Sequence, residues 1–254
     1  MRAGRRRAYF EMLRIGIAAL ALVGACVNGS RTMSGSPAPV RAPDAGAFVI
    51  LTNGHGIGAL QFISANYTSG LFHSYAEHWV YQPRGGDVFG PGYGEMRRRL
   101  VRMLERRDAV DIYIYAHSNS YVELMEDVPR LLRGKVRFVY NSGCDGAAQD
   151  RTWLEYGAKA YVGHPGSSCS QLFVMHFSSY WWSGETLHDA VGHANYAVRE
   201  ALVRGRGIVA RGCRYDGETG EQVFRETAAQ LSGDGDLRID SPVSRAAVGT
   251  ARAR

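Results

Sequence analysis

Short apolar runs alternate with stretches of helical periodicity from Phe48 onward. The runs typical of buried strands are FVILT (48–52), VDIYIYA (110–116), VRFVYN (136–141) and AKAYVG (158–163), with a weaker one at 79–82. The stretches with helical spacing are 95–107, 122–132, 151–157, 170–182 and 186–204. Strands that alternate with helices form a mostly parallel sheet covered on both sides. We therefore predict an α/β fold, a three-layer α-β-α sandwich with about six strands.

Chemistry in such sheets collects in the loops that follow the carboxyl ends of the strands. His117 follows the strand that ends at Ala116, and Cys144 follows the next strand, which ends at Asn141. Strands that are consecutive in sequence are usually neighbours in the sheet. The sequence therefore predicts that His117 and Cys144 lie side by side at one edge.

A thiol next to an imidazole is a strong nucleophile, because the imidazole takes or shares its proton. This assigns Cys144 as nucleophile and His117 as its acid/base. Backbone N–H groups around Gly143 and Cys144 are the candidate donors to an oxyanion. Gly143 and Gly146 let the backbone turn sharply beside the thiol.

The stretch from Asp111 to about Ala194 resembles the caspase-like cysteine peptidases, the group that contains caspases, legumain and gingipains. The matching pieces are DIYIYAHS, VRFVYNSGCDG, WLEYGAKAYVG, FSSYWWSGETLHDAVGHAN and the late GDGDLRI. The resemblance implies a caspase-like sheet of six strands, no cofactor, and hydrolysis of peptide or protein substrates through a thioester. It also implies that His117 and Cys144 are the catalytic dyad.

One position departs from the family pattern. The family has glycine directly after the histidine, where its amide helps to form the oxyanion hole, and this chain has Ser118. A serine can still donate its backbone N–H if the local backbone does not require glycine. An inactive relative that binds a peptide or a protein partner is therefore an alternative to an active peptidase.

A second alternative comes from the segment AHSNS (116–120), which also looks like the nucleophile turn of α/β-hydrolases. In that interpretation Ser118 is the nucleophile of a serine esterase. Asp145 with His164 or His193 would complete the triad.

The chain begins with five arginines, followed by the uncharged run Ile15–Ala25 and then Cys26. This is the pattern of a secretory signal peptide, and the run is too short to span a membrane. Leu22–Ala25 resembles the lipobox of bacterial lipoproteins, which implies that Cys26 carries the lipid. We predict a signal peptide over 1–25, lipid attachment and a flexible linker over 26–46, one domain over 47–240 and a disordered tail over 241–254. The mature protein would be exported and anchored in a membrane, facing the periplasm or the cell exterior.

The formal charge of +6 does not indicate a nucleic-acid partner. Residues 1–25 contribute five arginines and one glutamate, so the mature chain carries only about +2. Cys169 and Cys213 are candidates for a disulfide in an oxidising compartment. The histidines lack the three- or four-residue spacing of zinc motifs, so no metal site is predicted.

Overall fold

The computed structural model describes residues 39–51, 74–81, 92–116, 120–166, 169–204 and 218–242 of the 254-residue chain. The strands in these residues are β1 (Ala42–Leu51), β2 (Tyr75–Tyr81), β3 (Ala109–Tyr115), β4 (Val136–Asn141), β5 (Ala160–Gly163) and β6 (Gln230–Gly233). They form one sheet in the order β2-β1-β3-β4-β5-β6. The first five strands run parallel to one another, and β6 pairs antiparallel with β5.

The described helices are α1 (Tyr93–Arg106), α2 (Arg130–Arg133), α3 (Asp150–Glu155), α4 (Ser170–Trp182), α5 (Leu187–Val203) and α6 (Gly220–Thr227). Two short 3₁₀ turns, Ser120–Met125 and Gly146–Gln149, precede α2 and α3. None of the described helices combines the length and the apolar character needed to cross a lipid bilayer.

Helices cover both faces of the sheet, because successive side chains of each strand point to opposite sides. On one face, α1 packs Met96 and Leu100 against a core that includes Ile112. On the other face, Phe177 and Trp181 of α4 belong to a separate core, which also contains residues of α5 and α6. The predicted fold class, a three-layer α-β-α sandwich with a mostly parallel sheet of about six strands, is confirmed.

The predicted helix over 122–132 is wrong as one continuous element. The structure has a 3₁₀ turn that ends at Met125 and the four-residue helix α2, separated by Pro129. Proline has no N–H to donate and disfavours a helical conformation in the residue before it. Leu131, which lies in α2, is 84% exposed.

The first strand begins earlier than its apolar run suggests. Residues 42–46, assigned to the linker by their small side chains, form the first half of β1, with Ala42 and Ala45 buried. Small residues suit this position because Ala42 lies opposite the large Tyr75 of β2. The signal peptide and most of the predicted linker and tail lie outside the described residues.

A buried ion pair lies near the amino ends of β3 and β4. The Arg137 guanidinium donates two hydrogen bonds to the Asp111 carboxylate, with Nε–Oδ1 and Nη2–Oδ2 distances of 2.8 and 2.7 Å. Both side chains are at most 1% exposed. The Tyr75 hydroxyl donates to the same carboxylate, at 2.5 Å from Oδ2. Together with Tyr75, the ion pair therefore joins β2, β3 and β4 near their amino ends. Cys144 follows the opposite, carboxyl end of β4.

The residues after β6, 234–241, form a closing segment that crosses to this amino edge. Leu187 and His188, at the start of α5, donate their backbone N–H groups to the carbonyls of Leu237 and Gly235. The Arg137 Nη1 donates to the carbonyls of Ile239 and Ser241, at 2.5 and 3.1 Å. The closing segment thus supplies the acceptors that the buried guanidinium does not find in Asp111.

Candidate active site

The candidate site lies at the carboxyl ends of β3 and β4. Ile114 of β3 is paired with Asn141 of β4, and the Ser142 N–H donates to the Ile114 carbonyl at 2.9 Å. The two strands are therefore held together up to the point where β4 gives way to the loop of residues 142–147, here called the thiol loop. Cys144 lies in the middle of this loop, is partly buried, and carries a thiol rather than a disulfide.

The side chain of Asn141 stabilises the start of the thiol loop. Its side chain is buried, and its Oδ1 accepts the Gly143 N–H at 2.9 Å. The Gly143 carbonyl in turn accepts the Gly146 N–H at 3.1 Å, which closes a tight turn around Cys144. Asp145 completes this turn in the left-handed region, with φ of 54°, a conformation that aspartate tolerates better than most residues.

The predicted oxyanion hole is corrected at Gly143, whose N–H already has a hydrogen-bond acceptor within the protein. Because this N–H is already bonded to Asn141, it stabilises the turn and does not face a substrate. The physical reason is the short buried side chain at the end of β4, which reaches the amide two residues ahead of it.

Strand β5 supports the other side of the thiol loop. The Ala147 N–H donates to the His164 carbonyl at 2.9 Å, and the Tyr161 hydroxyl donates to the Gly146 carbonyl at 2.6 Å. Both Tyr161 and His164 are buried. The thiol loop is thus tied by hydrogen bonds to three neighbouring strands.

The backbone of Gly163, at the end of β5, lies directly against the thiol loop. A Cβ atom there would lie 2.8 Å from the Ala147 nitrogen and 2.9 Å from the Gly146 carbonyl carbon. These are backbone atoms, so the loop itself would have to move. We expect Gly163→Ala to cost about 1–3 kcal/mol of unfolding free energy in urea denaturation and to slow reactions of the Cys144 thiol.

Gly192 provides a matched control for this substitution. It lies within α5, and a Cβ atom there would meet nothing within 4 Å. Gly192→Ala is expected to gain about 1 kcal/mol, since alanine is the better helix former. Equal stabilities of Gly163→Ala and the unaltered protein would contradict the proposed crowding.

His164 is buried beneath the thiol loop with both ring nitrogens engaged. Its Nδ1 lies 2.5 Å from the Thr227 carbonyl, so this nitrogen carries the proton, and its Nε2 accepts from the Tyr140 hydroxyl at 3.0 Å. Burial lowers the pKa of His164 to about 4, although the hydrogen bond to Thr227 acts in the opposite direction. His164 is therefore a neutral structural residue and has no nitrogen left to activate Ser118.

His193, the other histidine considered for a serine hydrolase, lies on α5. Its Nδ1 is 2.8 Å from Glu185 Oε2, and its ring lies against Tyr180. Of the two histidines of the hydrolase alternative, only His164 is shown with both ring nitrogens engaged, which counts against His164 in that role.

The remaining predicted residues divide into two groups. Cys169, the residue before α4, is disulfide-bonded. His117, Ser118, Cys26 and Cys213 lie outside the described residues, so the catalytic dyad, the lipid attachment and the Cys169–Cys213 pairing stay predictions. Among the described residues, no three His, Cys, Asp or Glu side chains come together as metal ligands.

Sequence reasoning did not identify Asn141 and His164 as the residues that hold the thiol loop. For Asn141 a signal existed, because a polar residue at the end of the apolar run VRFVY directly precedes the predicted site. For His164 there was none, since its partner Thr227 lies 63 residues away in the sequence.

Comparison with known proteins found similarity among solved structures only. A scan against protein-family models and a search of curated proteins each found no match. A chain in the crystal structure of the Saccharomyces cerevisiae separase–securin complex is similar, with 12% sequence identity and a TM-score of 0.43. The match covers 80% of this chain, which spans only 12% of the length of that chain. A similarity of this size does not bear on function.

Proposed function

We propose that this chain is an exported, lipid-anchored cysteine peptidase in which Cys144 is the nucleophile and His117 its acid/base. The observation that carries the proposal is the position of Cys144 in a hydrogen-bonded loop at the carboxyl end of β4. Ile114 and Asn141 are paired across β3 and β4, and His117 and Cys144 are each the third residue after these positions. Residues that lie equally far beyond paired positions of neighbouring parallel strands are expected to be close to each other at the carboxyl ends of those strands.

In the proposed reaction, His117 accepts the thiol proton and the Cys144 sulfur attacks the carbonyl carbon of a peptide bond. The bond to the leaving nitrogen then breaks, and the amine departs with the proton from His117, which leaves a thioester on Cys144. Water, deprotonated by His117, attacks the thioester, releases a carboxylate and restores the thiol.

The developing oxyanion needs backbone N–H donors. Since the Gly143 amide is bonded to Asn141, the proposal relies on the N–H groups of Cys144 and Ser118. The bonds from Asn141, Tyr161 and His164 to the thiol loop support this role, because a loop fixed in advance needs no reorganisation when charge develops.

Labelling with electrophiles tests the nucleophile. The full mature chain is treated with iodoacetamide and with peptidyl acyloxymethyl ketones, and the modified residue is located by mass spectrometry. We expect one labelled site at Cys144, no label in Cys144→Ala, and labelling by the ketones slowed about 10²–10⁴-fold in His117→Asn. Cys169 is an internal control, since it is disulfide-bonded and should not react.

The outcomes separate the alternatives. Equal labelling of the unaltered protein and Cys144→Ala contradicts Cys144 as nucleophile, and labelling of Ser118 by a fluorophosphonate would favour the serine esterase. Labelling of Cys144 by iodoacetamide without hydrolysis of any peptide library would favour an inactive, peptide-binding relative. The lipid anchor is tested separately by the mass of the mature N-terminal peptide, where an unmodified Cys26 would contradict it.

A further inference from the structure

The amino end of α1 carries backbone donors that have no acceptor. The first hydrogen bond of this 14-residue helix runs from the Met96 N–H to the Gly92 carbonyl, at 2.9 Å. The N–H groups of Gly94 and Glu95 come before it, where a helix offers its own amides no acceptor. Among the described residues neither amide finds one, and Gly92, at the N-cap, has no side chain that could bond them. Two N–H groups therefore point out of this end of α1.

A buried hydroxyl without a partner lies beside the same helix end. Tyr81, the last residue of β2, is 7% exposed, and its hydroxyl has no hydrogen-bond partner among the described residues. A Cβ atom on Gly92 would lie 2.7 Å from this hydroxyl oxygen, so the hydroxyl reaches the N-cap of α1. An unsatisfied buried polar group costs free energy and is rare in native proteins. The hydroxyl therefore indicates a ligand that bonds it together with the amides of α1.

The glycine at the N-cap keeps side-chain atoms out of this place. The φ and ψ of Gly92 are −80° and −10°, values that any residue adopts, so the backbone does not require glycine. The contact with Tyr81 does require it, because a Cβ atom would also lie 2.8 Å from the ring carbon Cε2. The hydroxyl and the helix end can therefore approach a ligand atom from two sides.

This helix end lies at the same edge of the sheet as the thiol loop. Tyr81 of β2 is paired with Ile50 of β1. Ile50 is also paired with Ile114 of β3, which is paired with Asn141 of β4. Three spacings between neighbouring strands, each about 4.8 Å, separate Tyr81 from Asn141 by about 14 Å. Ligands of open α/β sheets bind at this edge, outside the carboxyl ends of the strands.

The charges around the helix end favour a ligand with a single negative charge. The positive end of the helix dipole attracts anions. The Glu95 carboxylate is turned towards Arg98 and Arg99, from which it accepts hydrogen bonds at 2.9 and 2.7 Å. In the same turn, burial and then three nearby carboxylates raise the pKa of Tyr93, namely those of Glu123, Asp127 and Glu126. These carboxylates repel a ligand with two negative charges more strongly than a ligand with one.

We propose that the Tyr81 hydroxyl and the Gly94 and Glu95 amides form a binding site for a single carboxylate group. The three groups donate hydrogen bonds to the carboxylate oxygens, and the dipole of α1 adds to the attraction. The carboxylate belongs to a small organic acid or to an acidic residue of a peptide. The inference does not depend on the proposed peptidase function, because neither Cys144 nor His117 takes part in it.

Titration of the isotope-labelled mature chain with sodium acetate, followed by heteronuclear NMR at constant ionic strength, tests the site. Acetate is expected to shift the Gly94 and Glu95 amide resonances until they saturate. Tyr81→Phe should weaken acetate binding about ten-fold, because it removes a hydrogen bond to a charged group. Without acetate its urea midpoint should equal that of the unaltered protein, since the hydroxyl has no partner among the described residues. Gly92→Ala should abolish binding, because its Cβ atom would crowd the hydroxyl.

The matched control is Tyr196→Phe, which removes a hydroxyl from an exposed tyrosine on α5 and should leave acetate affinity unchanged. Unshifted Gly94 and Glu95 resonances, or equal affinities of the unaltered protein and Tyr81→Phe, overturn the site. Equal binding of neutral acetamide, or tighter binding of inorganic phosphate, overturns its assignment to a single carboxylate. A blocked tripeptide with a central glutamate separates the two sources. Binding of the tripeptide at least as tight as that of acetate identifies a peptide ligand, and binding of acetate alone identifies a small acid.

Discussion

Replacement of Arg137 by methionine is expected to lower the free energy of unfolding by about 3–5 kcal/mol. The substitution leaves the Asp111 carboxylate buried without its cation, and it removes the donor to the carbonyls of Ile239 and Ser241. Burial alone would disfavour the charged guanidinium, but the contact with Asp111 outweighs it, and the pKa of Arg137 is raised. Urea denaturation followed by circular dichroism measures the loss.

The exposed pair Arg97–Asp127 is the matched control for this substitution. Its N–O distance is also 2.7 Å, but both side chains are more than 40% exposed, so Arg97→Met should cost less than about 1 kcal/mol. The double variant Asp111→Asn, Arg137→Met should lose less stability than the sum of the two single variants. Similar losses for Arg97→Met and Arg137→Met would contradict a dominant role for the buried pair.

Acid should destabilise the protein well above the pH at which most carboxylates titrate. In the unfolded chain His164 takes up a proton near its ordinary pKa of 6.5, whereas in the folded chain burial lowers that pKa to about 4. Below pH 6.5 the unfolded state therefore binds more protons, and stability falls until pH 4 is reached. The expected loss attributable to His164 is on the order of 3 kcal/mol, measured as urea midpoints between pH 7 and 4.

The variant His164→Gln separates the contribution of His164 to the pH dependence of stability from that of other titratable groups. Burial also lowers the pKa of His176, which acts in the same direction. His164→Gln should be less stable than the unaltered protein at pH 7, because it loses well-formed hydrogen bonds, but its stability should depend less on pH. A pH profile of His164→Gln that runs parallel to that of the unaltered protein would contradict the assignment.

The sheet was predictable because its central strands are nearly all apolar and are separated by segments with helical spacing. The same reasoning placed Cys144 at a strand end, since it depends only on the order of the elements. The prediction of one helix over 122–132 was wrong because the helical spacing of its apolar residues was given more weight than Pro129. Strand β1 was predicted too short because its first alanines are not typical strand residues. In both places the sequence pattern was weaker than a local backbone constraint or a contact with a neighbouring strand.

The interior of the site could not be predicted in the same way. The bond from the Gly143 amide to Asn141 depends on which way one side chain folds back, which a strand pattern does not encode. The ion pair between Asp111 and Arg137 had a signal that was not used. Each charge directly follows a valine, and those two valines, Val110 and Val136, are opposite each other in β3 and β4.

The closing segment also has a consequence for the order in which parts of the chain become stable as it folds. Arg137 is made 102 residues before Ile239, whose carbonyl it needs inside the core. Until residues 239–241 join the fold, strands β1 to β5 can pair, but the guanidinium between them lacks two of its acceptors. The sheet therefore gains its full stability only once residues 239–241 have joined it, and a chain that has not yet acquired these contacts is easier to unfold.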